Sequence, residues 1–457
     1  IFDISDVDMS GCPFIIYQGI YQQRCSGYEL TRDLDFDTND NGEFDSQDAY
    51  WNENSEGIGE GWLPVGGYYD NEDYFFEARF NGNGHVINNL TINRPGANNV
   101  GLFGVVNNSY IENLAIGGLL TEVVGYENVG ALAGVSIDSE ISNISVTARI
   151  QSHYYAGGLA GSARRSSYKN IFVSGSVTGE EDTGGLSGEF ISGSSKNVIS
   201  NSLVSGDEDV GGLVGDSNSE AMIRNSYWAI DTSTQSESYR SSEANSYVGL
   251  TLAKLQCALA ENTDFTTGCV SEDGLDEGLN SPVILYKDWD PEIWDFGTDP
   301  NANEQLPALK INGRVIRDRD ADEVFDTEDA FPLNLAAAID DDNDGMPDLW
   351  NSRCDEQCQT DSGLVLDPFL NDTDNDGVEN DFVPDEEEPV IEEPPVVEPP
   401  ITEPPVIEPP ANPSSGEATS SGGSSGGGAM AWMLLLLMTL AILGQYRRNT
   451  KIEKHLF

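Results

Sequence analysis

Four short acidic runs carry the plainest chemistry in this chain. In Asp37-Thr-Asn-Asp-Asn-Gly-Glu-Phe-Asp-Ser-Gln-Asp48, oxygen side chains stand at loop positions one, three, five, nine and twelve: Asp37, Asn39, Asn41, Asp45 and Asp48. Gly42 holds position six and Glu43 position seven. A hard cation such as Ca2+ takes about six to eight oxygens, and glycine at position six permits the sharp turn such a loop needs. The second run places Asp318, Asp320, Asp322, Asp326 and Asp329 in the same way, with Glu323 where the glycine would be. The third offers Asp340, Asp342, Asp344 and Asp348 with Gly345, and its twelfth residue is Asn351. The fourth has Asp372, Asp374 and Asp376 with Gly377, then Asn380, and ends on Val383. Spacing and glycine point to calcium as the cofactor; the competing reading is a solvated acidic spacer.

The six cysteines form three local pairs, Cys12 with Cys25, Cys257 with Cys269 and Cys354 with Cys358, as short disulfide staples would. Six cysteines allow 15 pairings, so connectivity stays open. Zinc is the alternative, but His85, His153 and His455 are the only histidines and none sits beside a cysteine pair. Disulfides imply an oxidising, exported location.

Other catalytic constellations are sparse. There is no His-Glu-x-x-His and no Gly-x-Ser-x-Gly, and three histidines are few for a nucleophilic triad. The enzymatic alternative is a polysaccharide lyase or hydrolase. It would draw on Glu180, Glu181, Asp182, Asp207, Glu208 and Asp209, with Arg164, Arg165 or Lys169 as base. No catalytic residue is assigned.

What must position these groups is a repeat. Val100-Gly-Leu-Phe-Gly104, Val129-Gly-Ala-Leu-Ala-Gly134, Ala156-Gly-Gly-Leu-Ala-Gly161, Thr183-Gly-Gly-Leu-Ser-Gly188 and Val210-Gly-Gly-Leu-Val-Gly215 have closing glycines 30, 27, 27 and 27 residues apart. Each is followed by an alternating strand centred on an asparagine: Asn113, Asn143, Asn170, Asn201 and Asn225, with Asn89 in an earlier half-copy. Those spacings, 24, 30, 27, 31 and 24, are less regular. Period-two apolar alternation reads as strand, and a fixed period of this size as a stacked architecture. The expected fold is all-β, a right-handed parallel β-solenoid in which Leu102, Leu132, Leu159, Leu186 and Leu213 form one internal ladder. The asparagines either bond along the axis or end strands in turns; both readings stand. A β-sandwich is the rival fold, but its strands do not recur on one period.

The Val-Gly-Gly-Leu-x-Gly core followed by Ile-x-Asn resembles the GLUG repeat of bacterial surface proteins, over roughly residues 28 to 311. The flanks Trp62-Leu-Pro-Val-Gly66 and Asn225-Ser-Tyr-Trp228 resemble it too. That resemblance implies a β-solenoid on secreted or surface-attached proteins and carries no catalytic residues. Asp326-Thr-Glu-Asp-Ala-Phe-Pro-Leu333 and Asp344-Gly-Met-Pro-Asp-Leu-Trp350 resemble thrombospondin type-3 repeats. These imply extracellular calcium in a loop-rich rod with little core of its own.

Net charge is 22 − 79 = −57, which speaks against a nucleic-acid partner, since that needs a basic face. Residues 318 to 410 alone hold 30 Asp and Glu against Arg319 and Arg353. From Pro384 to Pro413 the chain repeats Glu-Pro-Pro-Val/Ile, the composition of an extended stalk of roughly 90 Å at about 3.1 Å per residue. A Ser/Gly tract follows, then an apolar run from Ala429 to Gly444 near the short end of a membrane span, then Arg447, Arg448, Lys451 and Lys454. The positive-inside rule places that tail in the cytoplasm. Gly426, Gly427 and Gly428, then Trp432, then Arg447 and Arg448 resemble the GlyGly-CTERM sorting signal of Gram-negative bacteria. The resemblance implies a single-pass inner-membrane precursor, cleaved by a rhombosortase-type protease and then surface-attached or secreted. A chain beginning at Ile1 does not exclude an export leader.

The expected domains are therefore a cap with a calcium loop (1–75), the solenoid (76–235), a second cap (236–315), calcium repeats (316–383), a Pro/Glu then Ser/Gly linker (384–428), a transmembrane sorting helix (429–446) and a basic tail (447–457). The expected function is non-catalytic: a calcium-stabilised surface or secreted protein for adhesion, binding glycan, matrix or another cell.

Overall fold

The computed structural model describes residues 14–17, 20–23, 25, 27–39, 41–69, 72–238, 246–256, 270–271, 283–297, 306–351 and 354–370. The fourth acidic run, the stalk and the expected membrane helix with its sorting residues lie outside them. Among the described residues no helix is long and apolar enough to cross a membrane.

The repeat winds into a parallel β-solenoid with three faces. The first stacks Asn98–Val100, Glu127–Val129, Tyr154–Gly157, Glu181–Gly184 and Glu208–Gly211. The second stacks Phe103–Asn107, Ala133–Ile137, Ala160–Arg164, Ser187–Ile191 and Val214–Ser217. The third and widest includes Tyr110–Gly117, Glu140–Gln151, Ser167–Thr178, Ser194–Ser205 and Met222–Ala229. Successive coils pair in parallel, with Ile144 beside Ile171 and Ile171 beside Val198. That is the 27-residue period of the glycines made physical.

The leucine ladder forms as expected. Leu102, Leu132, Leu159, Leu186 and Leu213 are each 1% exposed or less, at the bend between the first two faces. Backbone bonds climb the same column: Leu132 N donates to Leu159 O, Leu159 N to Leu186 O, and Leu186 N to Leu213 O, at 2.8–3.0 Å. The closing glycines permit the stacking. A Cβ on Gly161 would sit 2.5 Å from Asn128 Cα of the preceding coil, a distance no side chain tolerates.

The asparagine column exists, but its membership differs from the sequence expectation. Asn113 Nδ2 donates to Asn81 Oδ1 (3.1 Å), Asn143 to Asn113 (2.9 Å), Asn170 to Asn143 (2.9 Å) and Asn197 to Asn170 (3.0 Å). The rungs in question are Asn81 and Asn197, not Asn89 and Asn201. In the fourth coil Ser195 takes the buried place that Ile141 and Tyr168 hold in the coils before. Ile199-Ser-Asn201 therefore imitates the motif four residues late. With Asn197 restored, the steps from Asn113 to Asn225 are 30, 27, 27 and 28 residues. The asparagines do not end these strands but sit inside them, at a local change of backbone conformation. Asn113, Asn143, Asn170, Asn197 and Asn225 all have φ between 47° and 60°, the left-handed region that asparagine enters more readily than most residues.

Both open ends are covered, as exposed sheet edges require. At the first end Gly27–Glu29 and Leu34–Asp35 add to the wide face, and Phe36, Tyr50 and Trp62 cluster with centroids 4.6–5.8 Å apart. At the last end Ser246–Leu250 pairs with Met222–Ala229. The chain then returns along the outer side of the wide face. Trp289, Trp294 and Leu309, with the antiparallel strands Trp294–Asp295, Ala308–Ile311 and Arg314–Ile316, form a second core with Ala115, Ile199 and Tyr227.

Candidate metal centre

Three of the acidic loops are described, and they share one construction. In the first, Asp37 Oδ2 accepts from Gly42 N (2.8 Å), and Asn39 Oδ1 and Asn41 Oδ1 accept from backbone amides two residues on. In the second, Asp318 Oδ2 accepts from Glu323 N (3.1 Å), while Asp320 and Asp322 repeat the two-residue pattern. In the third, Asp340 Oδ2 accepts from Gly345 N (2.9 Å), with Asp342 and Asp344 following suit. Loop position one thus caps the amide of position six every time, which turns positions one, three and five toward a common centre. Asp318, Asp320 and Asp322 each bring a carboxylate oxygen within 4.8 Å of the others, and so do Asp340, Asp342 and Asp344. Asp48 closes the first loop, bonding Thr38 N and Asp45 N. Asp45 itself accepts from Gln47 N.

Glu323 explains how the second loop dispenses with glycine. Its φ is +84°, a conformation that costs an ordinary residue about 1–2 kcal/mol. The side chain is 3% exposed and pairs with Arg149 of the solenoid at 2.5 Å. Its carbonyl accepts from Gly118 N, and Phe325 packs on Gly117. The loop is therefore built onto the wide face. The third loop joins it through Asn351, whose Nδ2 donates to Asp322 Oδ2 (2.7 Å). Leu349 in turn faces Gly42 of the first loop, 3.2 Å from where a Cβ would stand. All three loops thus lie along the solenoid's flank, and 318–351 is not a rod standing apart from it.

Burial and mutual repulsion disfavour the charged form of these carboxylates. Burial first, then Asp322 and Asp320, push the Asp318 carboxyl up to about 8. Burial and Asp320 push Asp322 up to about 7, and burial raises Asp329 to about 8. Asp326 is also raised by burial, against the pull of Arg319, to which it is bonded at 2.8 Å. Asp320 and Asp348 are raised as well, again by burial first. Around the second and third loops, five buried carboxylate or amide oxygens have no hydrogen-bond partner among the described residues: Asp320 Oδ2, Asp329 Oδ2, Asp348 Oδ1, Asn351 Oδ1 and Asp367 Oδ2. Buried polar atoms without partners are costly, and a hard cation is what clustered carboxylate oxygens accept in place of donors. The donor set, all oxygen, fits calcium. Asp367 escaped the sequence reading because it belongs to none of the spaced motifs.

The Cys354–Cys358 disulfide is present, and Cys25 is disulfide-bonded; Cys12, Cys257 and Cys269 lie outside the described residues. The acidic lyase candidates gather at one corner. Glu180, Glu181 and Asp182 stack on Asp207, Glu208 and Asp209 at the corner leading into the first face. Arg164 is held by Glu189 at 2.9 Å, and Arg165 is paired with Asp138 at another corner. Lys169 lies exposed on the wide face. Tyr168 is buried and bonded to Ser136, whereas Tyr154 joins Tyr126 and His153 on the surface.

No protein-family model matches the chain. Over 128 residues, 28% of its length, it is 31% identical to "Halomucin" of Haloquadratum walsbyi, covering 1% of that protein. Over 90 residues, 19% of its length, it is 42% identical to a "Putative Gly-rich membrane protein" of Evansella cellulosilytica, covering 10% of it. The chain thus spans only a small part of either relative. Among solved structures, a "putative immunoglobulin A1 protease" from Bacteroides ovatus aligns with TM-score 0.34 and 18% identity, over 62% of this chain and 85% of that one.

Proposed function

We propose that this is a non-catalytic, calcium-stabilised surface or secreted protein of the GLUG type, whose solenoid is a display scaffold for adhesion to glycan, matrix or another cell. The observation that carries the reading is the set of buried carboxylate oxygens without donors in the second and third loops. A protein that folds with such groups clustered on its flank needs a divalent cation outside the cell, where calcium is plentiful and disulfides persist. The Cys354–Cys358 bond agrees with that location, as does the partial likeness to a protein described as membranous. Within this reading the coil is right-handed, the apolar run after Ala429 is a membrane-spanning sorting helix, and a rhombosortase-type protease cuts near Gly426–Gly428. Isothermal titration of the full chain is expected to show calcium bound at more than one site, with magnesium a poor substitute. Glycan-array binding without release of shortened polymer is expected from the calcium-loaded protein. Failure to bind calcium, or steady depolymerisation of a polysaccharide, removes the reading.

A further inference from the structure

The third loop lacks a closing ligand of its own. By spacing, its twelfth residue is Asn351. Asn351 instead turns to the second loop, where Nδ2 donates to Asp322 Oδ2 (2.7 Å) and to Leu335 O (3.1 Å) and its backbone N donates to Ala336 O (2.9 Å). It is 4% exposed, and its Oδ1 has no partner. The third loop is thus left with Asp340, Asp342, Asp344 and Asp348, and Asp348 spends Oδ2 on Asp341 N (2.9 Å).

A further carboxylate reaches the loop from outside it. Asp367 lies beyond the helix Glu356–Ser362, and its backbone N donates to Pro347 O at 2.9 Å, which sets it beside Asp348. Its own charge is felt at Asp348. It is 7% exposed; Oδ1 accepts from Phe369 N (2.7 Å) and Oδ2 has no partner. Asp348 Oδ1, in the same neighbourhood, has none either. Two partnerless carboxylate oxygens therefore lie on segments that the Pro347–Asp367 backbone bond brings together, next to the loop that carries Asp340, Asp342 and Asp344.

We infer that Asp367 is a ligand of the third loop's calcium ion, supplied from outside the loop in the role that Asn351 gives up to the second loop. The inference rests on the calcium reading above. Its consequence is a clasp: one ion ties the segment 364–370 back to the loop at 340–348. Just before that segment the chain is held independently, where Asn334 Nδ2 donates to Ser362 O (3.1 Å).

The test is a calcium titration of the full chain, its Asp342→Asn and Asp367→Asn variants, and the double variant. Far-UV circular dichroism at saturating calcium checks that each is folded. Each single variant is expected to weaken one ion by roughly ten- to a hundredfold, the scale over which ligand charge moves calcium affinity. The double variant is expected to lose no further ion, because both residues serve the same one. Asp367→Glu, which keeps the charge on a longer stem, gives a smaller loss and guards against a misfolded asparagine variant. If Asp342→Asn weakens an ion while Asp367→Asn binds as the parent does, Asp367 is no ligand. If the two variants lose separate ions, the shared position is wrong. If the parent binds no calcium, the calcium reading itself fails, and this inference with it.

Discussion

Asn170 shows how much one side chain does in a stacked fold. Its Nδ2 donates to Asn143, its Oδ1 accepts from Asn197 and, at 3.4 Å, from Trp294 Nε1, and its backbone is left-handed. Asn170→Ala leaves buried amide groups without partners, at about 1–3 kcal/mol each, and adds a left-handed alanine at about 1–2 kcal/mol. A loss of about 3 kcal/mol is expected in urea denaturation. Asn201→Ala, at a side chain whose Oδ1 bonds nothing, is expected to change stability by less than about 0.5 kcal/mol. Equal effects would mean that the ladder has been placed on the wrong residues. The motif suggested Asn201 because an Ile-x-Asn triplet recurs there; only the strand register, with Val198 beside Ile171, shows that the rung is Asn197. Asp182 offers a second test. Burial, then Asp216, Asp209, Glu189 and Glu181, push its carboxyl up to about 6. Folding therefore favours the protonated form, and stability declines as pH rises from the ordinary value of 3.8 through about 6. Asp182→Asn suits the left-handed backbone there (φ 52°) and removes the charge. Thermal melts should show the variant above the parent at pH 7.5, with no advantage below the ordinary carboxylate range; a gain that persists at low pH would assign the effect to packing instead.

At the scale of elements, the coils were legible in the sequence and their attachments were not. Each coil repeats its pattern, so period and burial follow from counting: all five leucines of the glycine motifs are buried. Leu159→Ala is expected to cost about 2–5 kcal/mol, since stacked coils above and below limit collapse around the cavity. The docking of the second loop has no periodic signal. It depends on Arg149 meeting Glu323, 174 residues later, and on Phe325 finding the bare surface of Gly117. Arg149→Ala removes the cation that faces the buried Glu323 carboxylate, a loss of about 3–5 kcal/mol where the remaining charge is fully enclosed. The double variant Arg149→Ala/Glu323→Gly should recover most of that loss, because glycine accepts the positive φ and carries no charge. A double-mutant cycle in chemical denaturation checks this; additive losses would show that the pair is not coupled.

The whole molecule has two kinds of cohesion, and they should separate when calcium is withdrawn. Coil on coil, the solenoid is held by apolar side chains and backbone ladders that involve no cation, from Phe80 through Trp228 in one continuous core. The flank is different: between Asp318 and Asp348 the buried carboxylates Asp322, Glu323 and Asp329 stand among small or isolated apolar groups, Phe325 and Ala336 to Ala338, and it meets the wide face through Phe325 and the Arg149–Glu323 pair. A chelator at neutral pH leaves those carboxylates close and without a counter-ion, so that they must take up protons or move apart, while nothing in the leucine column changes. Hydrogen exchange of the full chain is therefore expected to show amides of 318–351 losing protection in chelator and regaining it with added calcium. Amides of the leucine column, Leu159 among them, should keep theirs in both conditions. Trypsin should report the same division, cutting first after Arg317 and Arg319 when calcium is removed, since Arg319 is held in place by Asp326 within the second loop. If both regions lose protection together, the flank is part of the solenoid's own cooperative unit and calcium stabilises the fold as a whole; if neither responds, the loops close without a cation. Local opening confined to the flank would show that the solenoid persists by itself while calcium fixes only the segment 318–351.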